Sequence, residues 1–302
     1  MENQIQDLLN KIKINMKNFS KGQKLIANYI INHYDKAAFM TAAALGDIVG
    51  VSESTVVRFA TELGFEGYPK LQKLLQELIK SKLTSLQRIE VSSNRISEEN
   101  ILKSVLQSDM DKIKITLAEV DQTTFNKVVE NILKAKKIYI LGVRSSAPLA
   151  SFLGFYFNLI FDNVRLVHTT SVSEMFEQII RVTEGDLVIG ISFPRYSKRT
   201  IKAMEYVKSQ NATVIAITDS VESPLAKTAH YSLIARSDMA SFVDSLVAPL
   251  SIINALIVAV GASRKQSIYE TFERLEKIWD EYQVYEKFDG SDILQREDTL
   301  ND

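Results

Sequence analysis

The 302-residue sequence has no cysteine. Disulfides and thiolate metal sites are thereby excluded, and a reducing, cytoplasmic compartment is the natural expectation. Proline is scarce, with five residues, and glycine modest, with eleven, which argues against long disordered segments. Histidine is limited to His33, His168 and His230. No metal-ligand spacing of the HExxH kind appears, so neither a metal nor a cofactor is expected. The N-terminus, MENQIQDLLNKIKI, lacks the basic start and apolar stretch of a signal peptide. The longest apolar run, Leu246–Ala262, is slightly short for a bilayer span and contains Pro249, Ser251 and Asn254. It reads as a buried helix, and no membrane partner is expected.

What is present is an ordinary globular composition, 46% hydrophobic and 24% charged, able to bury a sizeable core. The length fits about two domains at ~100–200 residues each. Net charge is −1, but unevenly spread. Residues 1–88 hold 12 Lys+Arg against 8 Asp+Glu, so this part carries +4 and the remainder −5. That permits a nucleic-acid surface on the N-terminal part without requiring one.

Residues 1–80 read as helices only. Ser20-x-x-Gln23 is a capping-box pattern ahead of Leu25, Ile26, Tyr29 and Ile30. Thr41 can cap a helix over 42–49, and Ser52 another running to Leu63, which Gly64 would end. Pro69 opens a further helix over 70–81, with Leu71, Leu74, Leu75 and Leu78 as its apolar stripe. Residues 81–108 are more polar and read as a linker. From Lys137 onward, short continuous apolar runs alternate with helical segments: KIYILG, NVRLVH, DLVIGISF, TVIAIT and YSLIA. This pattern predicts an α/β three-layer domain over 109–265, a doubly wound, five-stranded parallel sheet covered on both faces. A last amphipathic helix over 266–285 carries Ile268, Phe272, Leu275, Trp279 and Tyr282 on one side, and a polar tail completes the unit 266–302.

The segment Thr41–Tyr68 places two helices around a very short turn, Gly50-Val51-Ser52. Gly50 can supply the positive φ of a sharp turn. Leu45, Ile48, Val51, Val56, Phe59 and Leu63 would hold the pair together. The remaining face of the second helix holds Glu53, Ser54, Thr55 and Arg58, the early positions with which a helix-turn-helix reaches base edges. Plain packing of two helices gives the same spacing. The residues FSKGQKLIANYI (Phe19–Ile30) and MTAAALGDIVGVSESTVVRFATELGFEGYPKLQ (Met40–Gln72) are more specific: they resemble the N-terminal domain of the RpiR family of bacterial transcriptional regulators. The resemblance implies a helical domain without a wing that binds a palindromic operator as a dimer. It makes Ser52, Ser54, Thr55 and Arg58 candidates for the DNA-reading end. Tyr68, Lys70 and Lys73 become candidates for phosphate contact, although the two lysines also fit a solvated helix face.

Three loops at strand ends form the second constellation: Gly142–Pro148, Ser192–Thr200 and Thr218–Ala226. The carboxyl ends of parallel strands are where open α/β sheets hold ligands. Hydroxyls and free amides at a helix start favour an anion there, although a serine before a helix is often only a cap. This half, about Lys127–Arg264, resembles the SIS (sugar isomerase) domain, which implies binding of phosphorylated sugars. The resemblance assigns Ser145 and Ser146 to the first sugar-phosphate loop and Ser192 and Ser197 to the second. Two departures stand out. Arg144 occupies a position that is commonly glycine, and Pro194-Arg195-Tyr196 interrupts the common second loop. Arg144 and Arg195 are therefore expected to tighten or select an anionic sugar, unless one pairs with Asp219 or Glu174.

A phosphosugar isomerase is the alternative, but that chemistry needs a carboxylate base and often a histidine. Glu174 looks like a capping partner of Ser171, and His168 like a polar strand-end residue. No catalytic residue is assigned, and binding without turnover is favoured. A third reading keeps the DNA domain and leaves the α/β domain only to dimerise. The expected partners are operator DNA, a phosphorylated sugar and a second or further copies of the chain, as homodimer or tetramer.

Overall fold

The computed structural model describes residues 2–79, 88, 100–169, 171–237 and 243–286. The N-terminal part is five helices: α1 (Glu2–Asn15), α2 (Lys21–Ala37), α3 (Ala42–Val49), α4 (Glu53–Glu62) and α5 (Tyr68–Ile79). Local chemistry sets their starts. Ser20 Oγ accepts from the Gln23 amide while Gln23 Oε1 accepts from the Ser20 amide, completing the capping box. Thr41 caps α3 through the Ala44 amide. Gly50 takes a left-handed conformation (φ 74°) and turns the chain into α4. Ile12, Ile26, Ile30, Leu45, Val56, Phe59, Leu71 and Leu75 close the core between these helices.

Three details differ from expectation. Ile48 is 54% exposed rather than part of the seam. Helix α3 is only two turns long and apolar almost throughout, so its sequence does not say which face turns inward. Ser52 stands at the N-cap of α4 without capping it. Helix α5 starts at Tyr68, with Pro69 in its first turn, and is described as far as Ile79. Most of the 81–108 linker, the side chain of Leu78 and the tail after residue 286 lie outside the described residues.

The second part opens with α6 (Ile101–Glu119) and α7 (Gln122–Lys134), so a helix begins inside the expected linker. It continues with β1 (Ile138–Gly142), α8 (Ala147–Ile160), β2 (Val164–Val167), α9 (Val172–Ile179), β3 (Leu187–Ile191), α10 (Lys198–Ser209), β4 (Thr213–Thr218), α11 (Pro224–Thr228) and β5 (Tyr231–Ile234). Two helices follow, α12 (Val247–Ser263) and α13 (Lys265–Glu281). All strand pairs are parallel, in the order β2-β1-β3-β4-β5. Strands β1 and β3 are buried at every position, which explains their continuous apolar runs.

One core packs α7, α8 and α12 on one face of the sheet, through residues such as Val128, Phe157, Ile253 and Leu256. The other face is covered by α9, α10 and α11, through Met175, Met204, Val207 and Leu225. The apolar run at Leu246–Ala262 is thus largely a core helix, and no single described helix is long and apolar enough to cross a membrane. Helix α13 has no fully buried residue: Ile268 touches the core, whereas Tyr282 is 72% exposed.

His230, just before β5, accepts the Val214 amide on Nδ1 at 2.9 Å. Burial, reinforced by Lys208, lowers its pKa below the usual histidine value. The unfolded chain therefore binds a proton before the folded one as pH falls. Stability supplied by this site is present above pH ~6.5 and declines below it. The melting temperature is expected to drop more steeply between about pH 6.5 and 5 in the wild type than in His230→Gln. Parallel pH profiles in a calorimetric scan would contradict this.

Candidate functional site

Helix α4 presents a polar face to solvent. Ser52, Ser54 and Arg58 are exposed, and Thr55 is half-buried. The three hydroxyls form one cluster: Ser52 Oγ lies 2.9 Å from both Ser54 Oγ and Thr55 Oγ1. This is why Ser52 does not cap the helix. Arg58 lies back over the first turn, with Nε donating to the Ser54 carbonyl at 3.3 Å and Nη2 to Ser54 Oγ at 3.4 Å. These long, solvent-facing bonds are easily exchanged for better acceptors. The opposite side of α4 buries Val56, Phe59 and Ala60, so the face is held rigidly.

The second site lies at the carboxyl edge of the sheet. The chain direction reverses its lateral progress between β1 and β3, and in such sheets a crevice opens there. The loops after these two strands border a cleft of about 1170 Å³. Gly142 is required at the end of β1, because a Cβ there would stand 2.7 Å from the Ser146 carbonyl oxygen. The chain then passes through Arg144 in a left-handed conformation (φ 56°) and a single 3₁₀ turn, Arg144–Ser146, into α8. Pro148 sits in the first turn of α8.

Hydroxyl chemistry in the second loop is well defined. Ser192 Oγ accepts the Ser197 amide, and Ser197 Oγ accepts the Thr200 amide, both at 3.3 Å. Each oxygen is thereby fixed as an acceptor toward the backbone, which leaves its O–H proton to donate elsewhere. Tyr196 donates its hydroxyl to Asp219 Oδ1 at 2.8 Å, and burial, with Asp219 adding to it, pushes that phenol well above its ordinary pKa. Among the described residues the cleft is bordered by five cationic side chains, Arg88, Arg144, Arg195, Lys198 and Arg199, against one carboxylate, Asp244. Hydroxyl donors surrounded by excess positive charge suit a small anion.

The SIS domain family matches residues 131–259. The family described as "Helix-turn-helix domain, rpiR family" matches residues 6–82. These two stretches thus match an rpiR-family helix-turn-helix domain followed by a SIS domain. An uncharacterised HTH-type transcriptional regulator from Caldanaerobacter subterraneus subsp. tengcongensis is 24% identical over 280 residues, covering 90% of this chain and 96% of the relative. Among solved structures, the Vibrio vulnificus NanR protein complexed with ManNAc-6P is similar in fold. Its TM-score is 0.53 at 23% identity, over 90% of this chain and 98% of NanR. The sugar isomerase domain of an RpiR transcription factor from Sphaerobacter thermophilus gives 0.55 at 22% identity, over 58% of this chain and 97% of that one.

Within these two domains, Ser52, Ser54, Thr55 and Arg58 come together on one face, and Arg144, Ser145, Ser146, Ser192, Arg195 and Ser197 border one cleft. Tyr68 is a correction. It is 1% exposed, its hydroxyl donates to the Ala37 carbonyl at 3.0 Å, and burial raises its pKa. It ties α5 to the end of α2 and is not available to a phosphate. Lys70 is exposed in a loose 3.7 Å pair with Glu66, and Lys73 is exposed.

The third loop does not reach the cleft. Strand β4 lies one position beyond the reversal point. Ser223 caps α11 through the Ala226 amide instead. Nor are all amides at the α8 start free, since Ser146 N–H donates to the Val143 carbonyl and Ala147 N–H to the Arg144 carbonyl. An anion placed there would meet mainly hydroxyls and guanidiniums. Glu174 accepts from the Thr169 hydroxyl, and Ser171 makes no side-chain cap. Arg144 has no ion-pair partner among the described residues.

Sequence reasoning missed Arg88 and Asp244, which form a 2.8 Å ion pair at the cleft wall. Lys198 and Arg199, which the sequence places in the second loop without assigning them to the site, also border the cleft. The conformation of Arg144 accounts for glycine being common at that position. A left-handed conformation costs a non-glycine residue roughly 1–2 kcal/mol. Arg144→Gly is expected to raise stability by up to about 1 kcal/mol, after the greater freedom of glycine in the unfolded chain, while weakening anion binding. Denaturant melts with phosphate titrations check both directions, and a less stable, equally binding variant would contradict the expectation.

Proposed function

We propose that this protein is a transcriptional regulator that binds operator DNA through α3 and α4, and that a phosphorylated sugar in the SIS cleft sets its operator affinity. The observation that carries the proposal is the cluster of proton-donating serines and five cations at the β1/β3 reversal point. The complex of the structurally similar NanR protein with ManNAc-6P makes amino-sugar phosphates natural first candidates. Binding without turnover is supported by the cleft's composition: among the described residues its lining holds no histidine, and the one carboxylate there, Asp244, is paired with Arg88.

A dimeric assembly is supported by α6, which has inverted amphipathicity. It buries Lys112 and Thr116 while exposing Leu102 (74%), Leu106 (54%) and Leu117 (74%). Such a stripe is unusual for a face in contact with water. In a two-fold assembly, the half-sites of the operator would be spaced by roughly one helical turn. The ligand can shift DNA binding only through different affinities for the two arrangements of the dimer.

The test is a gel shift on DNA selected by the protein, repeated across a panel of sugar phosphates. One member of the panel should change operator affinity at least severalfold. If none does, and isomerisation of an aldose phosphate is measurable, the enzyme reading replaces this one.

A further inference from the structure

We propose that Arg88, which lies between the two domains in sequence, is a phosphate-binding residue of the effector cleft, and that Asp244 is the carboxylate with which a bound phosphate competes for it. The inference rests on the anion-binding reading above and adds a residue to that site. Arg88 follows α5 by nine positions and precedes α6 by thirteen. It belongs to neither the helix-turn-helix nor the SIS fold, yet its side chain is only 5% exposed. It borders the same cleft as Arg144, Ser146, Ser192 and Arg195.

A guanidinium carries five N–H donors in a planar fork. Here Nη1 donates to Asp244 Oδ1 at 2.8 Å, while Nε is buried with no hydrogen-bond partner among the described residues. The pairing with Asp244 is therefore one-pronged. A residue kept only as a structural tie would be expected to use its fork on both carboxylate oxygens, as arginine–carboxylate pairs often do. A phosphate has three peripheral oxygens and can take both prongs, including the unused Nε–H. Its charge is drawn toward Arg88 by the positive field that Arg144, Arg195, Lys198 and Arg199 set up around the same cleft. Occupancy of the cleft would then bear directly on the stretch joining the DNA-binding and sensing domains, since one of its side chains is a ligand.

The test uses the full chain and titrates inorganic phosphate and ManNAc-6P by calorimetry. Arg88→Ala should weaken phosphate binding at least tenfold, and Arg88→Lys should recover part of it. Asp244→Asn, which removes the competing carboxylate, should strengthen binding severalfold. Because either single change can leave a buried charge unpaired, the double variant R88A/D244N removes the pair together. It should melt near the wild type yet still bind at least tenfold more weakly. Wild-type affinity in the double variant would overturn the role of Arg88 while leaving the cleft reading intact. Absence of binding of both probes by the wild type itself would instead overturn the cleft reading, and this inference with it.

Discussion

Replacing Arg58 by alanine should weaken operator binding roughly 10- to 100-fold, with almost no change in melting temperature. The size follows from the discrimination a bidentate arginine–guanine contact supplies, about 1–3 kcal/mol. The unchanged stability follows from where Arg58 sits. It is exposed, and among the described residues its hydrogen bonds go to Ser54, at 3.3 and 3.4 Å. Fluorescence anisotropy with the selected operator and with a scrambled duplex separates the two kinds of contact. A base-reading role predicts a large loss on the operator and a small loss on scrambled DNA. Equal losses on both would reassign Arg58 to the phosphate backbone. Lys73→Ala, by contrast, is a backbone-type change and should weaken both duplexes alike.

The double substitution R144A/R195A should reduce sugar-phosphate affinity by at least about a hundredfold. Each hydrogen bond to a charged group contributes roughly 1.5–3 kcal/mol, and two such losses compound. Both side chains are exposed at the cleft mouth, so removing them should leave the fold intact. Alanine at position 144 keeps the strained left-handed backbone, so any stability gain belongs to glycine there and not to alanine. Thermal unfolding without ligand should therefore match the wild type. The ligand-induced rise in melting temperature should vanish. An undiminished rise would mean that the serines and the remaining cations hold the anion alone.

What was legible in the sequence is mostly local. Ser20 with Gln23, Thr41 and Gly50 are boundary signals that act within four residues, and each is found where the pattern placed it. The five strands were readable because a sheet buried on both faces demands unbroken apolar runs. Their order was not, because neighbours in a parallel sheet are chosen by long-range packing. Without the order β2-β1-β3-β4-β5, the loop after β4 looked equivalent to the other two. Tyr68 was misread for a similar reason. A tyrosine at a helix start can face water or the core, and only the Ala37 carbonyl, 31 positions away, decides it. Arg88 and Asp244 are 156 positions apart, and nothing periodic marks either, so no local pattern could have joined them.

Sensing by this protein requires that the cleft between β1 and β3 hold a phosphate-bearing sugar. Calorimetric titration of the full chain, comparing sugar 6-phosphates with the same sugars lacking phosphate, asks this directly. The prediction is one site per chain for a phosphorylated member, no measurable binding of its dephosphorylated partner, and affinity that declines as salt is raised. Equal binding of both forms, or heat from neither across the panel, would contradict it.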